Sequence, residues 1–131
     1  MIKRTVEIAQ VDQLNRGGRR YPLSVLQQQV GREPVHGELG HPVFTGMTPE
    51  AAVQRCRQID FDRVIHLASN FRIEDGVFVC DVESWGPHSN ILEKNFDAFD
   101  FAMRGLCGFE GDGITVRHFE LVTVDAIYRH P

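Results

Sequence analysis

Apolar positions recur with two different periods along this chain, and the changes of period mark its elements. Residues 3–10 alternate, with β-branched residues among charged ones, and predict a first strand. Gly17-Gly18 permits positive φ and predicts a turn, after which Pro22 opens a short helix over residues 22–30. Leu23, Leu26 and Val30 fall on one face of that helix. Residues 33–47 carry Gly and Pro without a period and read as a loop holding one short strand. Thr48-Pro49-Glu50 combines an N-cap, a first-turn proline and a first-turn acid, and starts a helix that runs to about Gln58.

Two apolar runs, 63–73 and 77–84, flank Glu74-Asp75-Gly76 and predict a hairpin. Gly86-Pro87 breaks the chain before a helix over about 89–99, with Ile91, Leu92, Phe96 and Phe99 on one side. A strand over 101–107, a turn at 111–113 and a long last strand over 114–128 complete the pattern. The order predicts an α+β fold: about six strands in a partly closed sheet, with two or three helices.

Composition narrows this picture. A chain of 131 residues is one domain, residues 1–131, and 42% hydrophobic residues is ordinary for a globular protein. The net charge of −4, with basic residues spread out, argues against nucleic acid as a partner. No apolar run is long enough to cross a membrane, and residues 1–7 alternate like a strand and lack a signal-peptide core. The three cysteines, Cys56, Cys80 and Cys107, are odd in number and widely spaced, so they read as buried apolar residues and not as disulfide or zinc ligands. Six histidines invite a metal, but none are spaced as ligands on one element, so neither metal nor other cofactor is expected.

Five motifs in order carry a family resemblance. They are Asn15-Arg16-Gly17-Gly18-Arg19-Arg20-Tyr21-Pro22, Gly37-Glu38-Leu39-Gly40-His41-Pro42, Val64-Ile65-His66, Ala102-Met103-Arg104-Gly105, and Phe119 to Ile127 with its Glu-Leu-Val-Thr-Val-Asp core. Together they resemble the prohead proteases of tailed phages, the serine endopeptidases that mature a viral capsid. The resemblance implies a herpesvirus-assemblin-like fold, an antiparallel, partly closed barrel-like sheet with surrounding helices, and cleavage of scaffold and capsid proteins after glutamate. It also implies a place inside the prohead or virion in the host cytoplasm, as part of a homo-oligomer or larger assembly.

It assigns His41 as the base, and an imidazole titrates near neutrality. Pro42 restricts the backbone of His41. His66 is implied as the group that orients His41, with Glu38, Asp81 and Asp125 as alternatives. Arg104 and Gly105, just past the nucleophile position, are expected to face the oxyanion or a substrate carboxylate. Arg19 and Tyr21 are expected to hold the fold. His36, His88, His118 and His130 match no motif and are expected at the surface. Ile91-Leu92-Glu93 loosely fits a self-cleavage site, although a helix turn is its simpler role.

The departure is Ala102, which stands where the family carries its serine. A methyl group cannot attack a carbonyl, and Cys107 lies too far along the strand to replace it. The chain as written is therefore expected to be a poor peptidase or none. Ala102 either replaces a serine to hold back self-cleavage or belongs to a pseudoprotease that serves as a structural or decoration component of the head.

Overall fold

A computed structural model describes residues 1–129; His130 lies outside the described residues. Among the described residues, six strands and three α-helices follow in order: β1 Lys3–Gln10, α1 Leu23–Gln27, β2 Val35–Glu38, α2 Pro49–Arg57, β3 Val64–Glu74, β4 Val77–Ser84, α3 Ser89–Asn95, β5 Phe99–Phe109 and β6 Val116–Tyr128. The predicted elements are present, with one shift of kind. The third helix stops at Asn95, and Phe99 already belongs to β5.

Local chemistry explains the boundaries. The Oγ1 of Thr48 accepts the N–H of Ala51 at 3.2 Å, and Pro49 occupies a position whose N–H has no helical partner. Asp75 and Gly76 both take positive φ, 50° and 76°, so a two-residue turn closes the β3–β4 hairpin with the twist that its strands need.

The sheet is not the single, partly closed barrel expected from the sequence. Four strands form one antiparallel sheet in the order β1-β4-β3-β2, and β5 and β6 form a separate antiparallel ribbon. The two meet along β2 and β6 through one parallel bridge, Leu39 with Ala126, and the Gly40 N–H donates to the Ala126 carbonyl at 2.7 Å. Beyond that bridge, side chains replace the backbone ladder. His66 Nε2–H donates to the Val124 carbonyl at 2.8 Å, and the Thr123 hydroxyl donates to the His36 carbonyl at 2.6 Å. A carbonyl needs a donor but not a backbone one, so the strands stay close without forming one sheet. Phe71, Phe78, Ile65, Val82, Leu26 and Leu92 fill the core with Phe99, Val116 and Val124 from the ribbon.

Gly37 makes the seam possible. A Cβ there would lie 2.1 Å from His66 Nε2 and 2.2 Å from the Val124 oxygen. Gly37→Ala should force this bond apart and destabilise the fold by about 1–3 kcal/mol, the usual cost of overpacking. Urea unfolding with an unchanged m-value would show it; a wild-type midpoint would mean that the seam yields freely.

Candidate active site

Glu38 and His41 leave the end of β2 and enter the following loop, while Ala102, Arg104 and Asp125 sit on the ribbon. Ala102 is directly opposite Asp125 in the β5–β6 register, so their side chains share one face about 4.5–5.5 Å apart at Cβ. Arg104 lies two residues on and shares that face.

His41 is the half-exposed member, with 42% of its side chain accessible, and its Nδ1 lies 2.8 Å from Asp125 Oδ2. An ionised carboxylate only accepts, so Nδ1 carries the proton and Nε2 keeps its lone pair in the neutral ring. That is the tautomer a general base requires. Asp125 is fully buried, and its other contacts are the Glu38 N–H at 3.0 Å and the Arg104 guanidinium, Nε at 2.9 Å and a terminal nitrogen at 3.1 Å. Burial pushes the pKa of Asp125 upward, but His41, Arg104 and the Glu38 amide outweigh it, and Asp125 is held below the ordinary carboxylate range.

Glu38 is the second buried anion. It accepts from Arg55 at 2.7 and 3.1 Å, from Arg104 at 3.0 Å and from the Asp60 N–H at 2.9 Å. Burial again works against the charge, and the bonds to Arg55 and Asp60 with the charge of Arg104 overcome it, leaving the pKa lowered. Arg104 thus bridges two buried carboxylates. Its remaining terminal nitrogen donates to the Cys56 and Gln58 carbonyls at 3.1 and 2.8 Å, at the C-terminal end of α2, where helix carbonyls lack partners.

Several expectations are corrected or redirected here. Arg104 does not face solvent or an oxyanion position: its side chain is 3% exposed and its donors are committed to Asp125, Glu38 and the end of α2. His66 makes no hydrogen bond to His41. It is fully buried, donates to Val124, and packs edge-on against Phe101 at 5.4 Å. Burial lowers its pKa to about 4, only partly offset by the Val124 bond. The group on His41 is Asp125, one of the alternatives. Asp81 is elsewhere, bonded to Thr5, Asn70 and Arg72. Gly105 is closely packed, since a Cβ there would lie 2.1 Å from the Glu120 oxygen. His118 is exposed and His88 half-buried; His36 is half-buried too, packed edge-on against Phe61 and at a tilt against Trp85. Tyr21 is buried against Phe119, as a fold-holding residue should be. Arg55 and Asp60 were not singled out from the sequence, because nothing in their spacing marks them as partners of Glu38. Among the described residues no cluster could hold a metal ion, and no helix is long and apolar enough to cross a membrane.

The lowered His66 pKa sets a pH dependence. The unfolded chain protonates His66 near pH 6.5, whereas the folded chain refuses the proton until about 4. Stability should therefore fall as pH drops through that window, since the unfolded state binds more protons. Urea unfolding at pH 7 and 5 should show the loss, and His66→Phe should flatten the slope.

A buried carboxylate on Nδ1 of an accessible histidine is the pairing that triad hydrolases use for acid–base work, and here it lies across the ribbon from Ala102. The comparisons agree with that class. The model of the Peptidase S80 family matches residues 11–127, and the chain belongs to this family, the phage prohead protease family that its motifs resemble. The fold is similar to the structure of the bacteriophage T4 capsid assembly protease, gp21, with a TM-score of 0.70 and 19% identity over 96% of this chain and 81% of that one. No curated protein matches.

Proposed function

We propose that this chain is a phage head-assembly protein built on a serine-endopeptidase site, with His41 as base, Asp125 as its partner and position 102 as the place of the nucleophile. With alanine at 102 it engages scaffold and capsid proteins without cutting them. The observation that carries this reading is the buried Asp125 carboxylate, bonded to His41 Nδ1 at 2.8 Å and paired across the ribbon with Ala102. Arg104 and Glu38 are positioning residues: they hold Asp125 ionised and fixed and do not meet substrate. Membership of a peptidase family supports peptide hydrolysis as the ancestral chemistry, and the motif resemblance supports cleavage after glutamate inside the prohead. The test is Ala102→Ser incubated with capsid and scaffold proteins of the same phage. Cleavage after glutamate supports the reading. A folded serine variant that cuts none of them overturns it.

A further inference from the structure

β1 ends the four-stranded sheet, and β4 is the only strand that pairs with it among the described residues. The direction of its backbone groups can be read from that neighbour. The Ser84 N–H donates to the Ile2 carbonyl at 2.9 Å, so Ile2 and, by alternation, Arg4 and Val6 turn toward β4. The pairing on the far side of β4 gives the same phase. The Trp85 N–H donates to the Ile65 carbonyl at 3.1 Å, which turns Trp85, Glu83 and Asp81 toward β3 and leaves Ser84, Val82 and Cys80 for β1. The N–H and C=O groups of Lys3, Thr5 and Glu7 therefore face the open edge.

The side chains of these three residues are exposed and share the face of the sheet opposite Val6. Neither Lys3 nor Glu7 has an ion-pair partner among the described residues, whereas Arg4, on the other face, is committed to Asp97 at 3.7 Å and to the Phe96 ring. Charges on an edge strand normally keep other strands away, because like charges brought opposite each other repel. One partner escapes that repulsion. Two copies of β1 laid antiparallel about Thr5 place Lys3 of each opposite the partner's Glu7. Outward residues then oppose outward residues, so each exposed N–H and C=O from Lys3 to Glu7 finds a mate. Other two-fold registers lose this fit. Centring on Arg4 sets that arginine against its own copy, and centring on Lys3 or Glu7 likewise opposes like charges. Centring on Val6 leaves Lys3 and Glu7 with no opposite charge across from them.

We infer that two copies of this chain join edge to edge through β1, antiparallel about a two-fold axis at Thr5, so that two four-stranded sheets become one continuous sheet. The partner is a second copy because the charge pattern is complementary to itself, and one surface serves both subunits, as a two-fold contact requires. The contact uses none of the residues around His41 and is independent of what stands at position 102.

Sedimentation equilibrium tests this on the chain as it stands, which should show a monomer–dimer equilibrium. Lys3→Glu and Glu7→Lys should each weaken the dimer by about tenfold, since each turns two opposite-charge pairs into like-charge ones. An equimolar mixture of the two variants should associate again as heterodimers, because Lys and Glu then stand opposite each other at both ends. The combined variant Lys3→Glu with Glu7→Lys should recover the wild-type affinity for the same reason. Misfolding could not be repaired by mixing, so the mixture separates a lost contact from a lost fold. Hydrogen exchange at the Thr5 and Glu7 amides should slow as protein concentration rises, while the Arg4 and Val6 amides, already bonded to β4, change little. A chain that stays monomeric at millimolar concentration, a dimer indifferent to the single reversals, or single variants that do not associate on mixing would overturn the inference.

Discussion

Ala102→Ser is expected to raise peptide hydrolysis by at least about 10³-fold over the alanine chain, and His41→Ala in the serine background to abolish the gain. Loss of a triad nucleophile costs up to about 10⁶-fold in characterised hydrolases, so a partial recovery is still a large signal. The substitution adds one oxygen to a half-buried side chain on the face it shares with Asp125, so it asks little of the packing. The other groups of the proposed site are already in contact: His41 donates Nδ1–H to a carboxylate that Arg104 and the Glu38 amide hold ionised. Asp125→Asn in the serine chain should cost about 10⁴-fold by favouring the wrong imidazole tautomer, provided the fold survives. Cleavage of a fluorogenic glutamyl peptide measures each step. Activity in Ala102→Ser that persists after His41→Ala would place the base elsewhere.

Arg104→Ala is expected to destabilise the fold by about 3–5 kcal/mol, because it removes the buried cation that two carboxylates share. Glu38 keeps Arg55, but Asp125 loses the buried guanidinium that holds it, the Cys56 carbonyl loses its donor, and the Gln58 carbonyl is left with Arg55. The deficit should depend on pH. In the wild type, Glu38 and Asp125 have lowered pKa values, so they contribute stability above the carboxylate range and lose it as pH falls. Without Arg104 their folded pKa values rise and protonation relieves the buried charge. The gap between wild type and variant should therefore narrow toward acid pH in urea titrations. The exposed Arg57–Glu120 pair is the internal control: both partners are about half accessible, and Arg57→Ala should cost less than about 1 kcal/mol. Similar losses for the two arginines would mean that the buried network carries no special weight.

Most element positions were legible because each rests on local rules. Thr48-Pro49 caps a helix and Asp75-Gly76 turns a hairpin without help from distant residues. His41 and position 102 were legible as motif positions. The partner of His41 was not, because Asp125 lies 84 residues away and only strand register sets it against the ring. The outward reading of Arg104 missed for a related reason. A charged residue in a strand defaults to solvent, and only the meeting of β2, β6 and the end of α2 supplies enough acceptors to bury it.

By itself, then, the chain's pattern determined the strands, helices and turns, the motif histidine and the missing hydroxyl at 102, since each follows from residues within a few positions of one another. The tertiary structure decided that the sheet divides at a seam sealed by His66 and Thr123, that Asp125 is bonded to His41, and that Arg104 lies buried between two carboxylates. Those outcomes depend on contacts between residues far apart in the chain, where a carboxylate keeps its charge only if another element brings a cation to it.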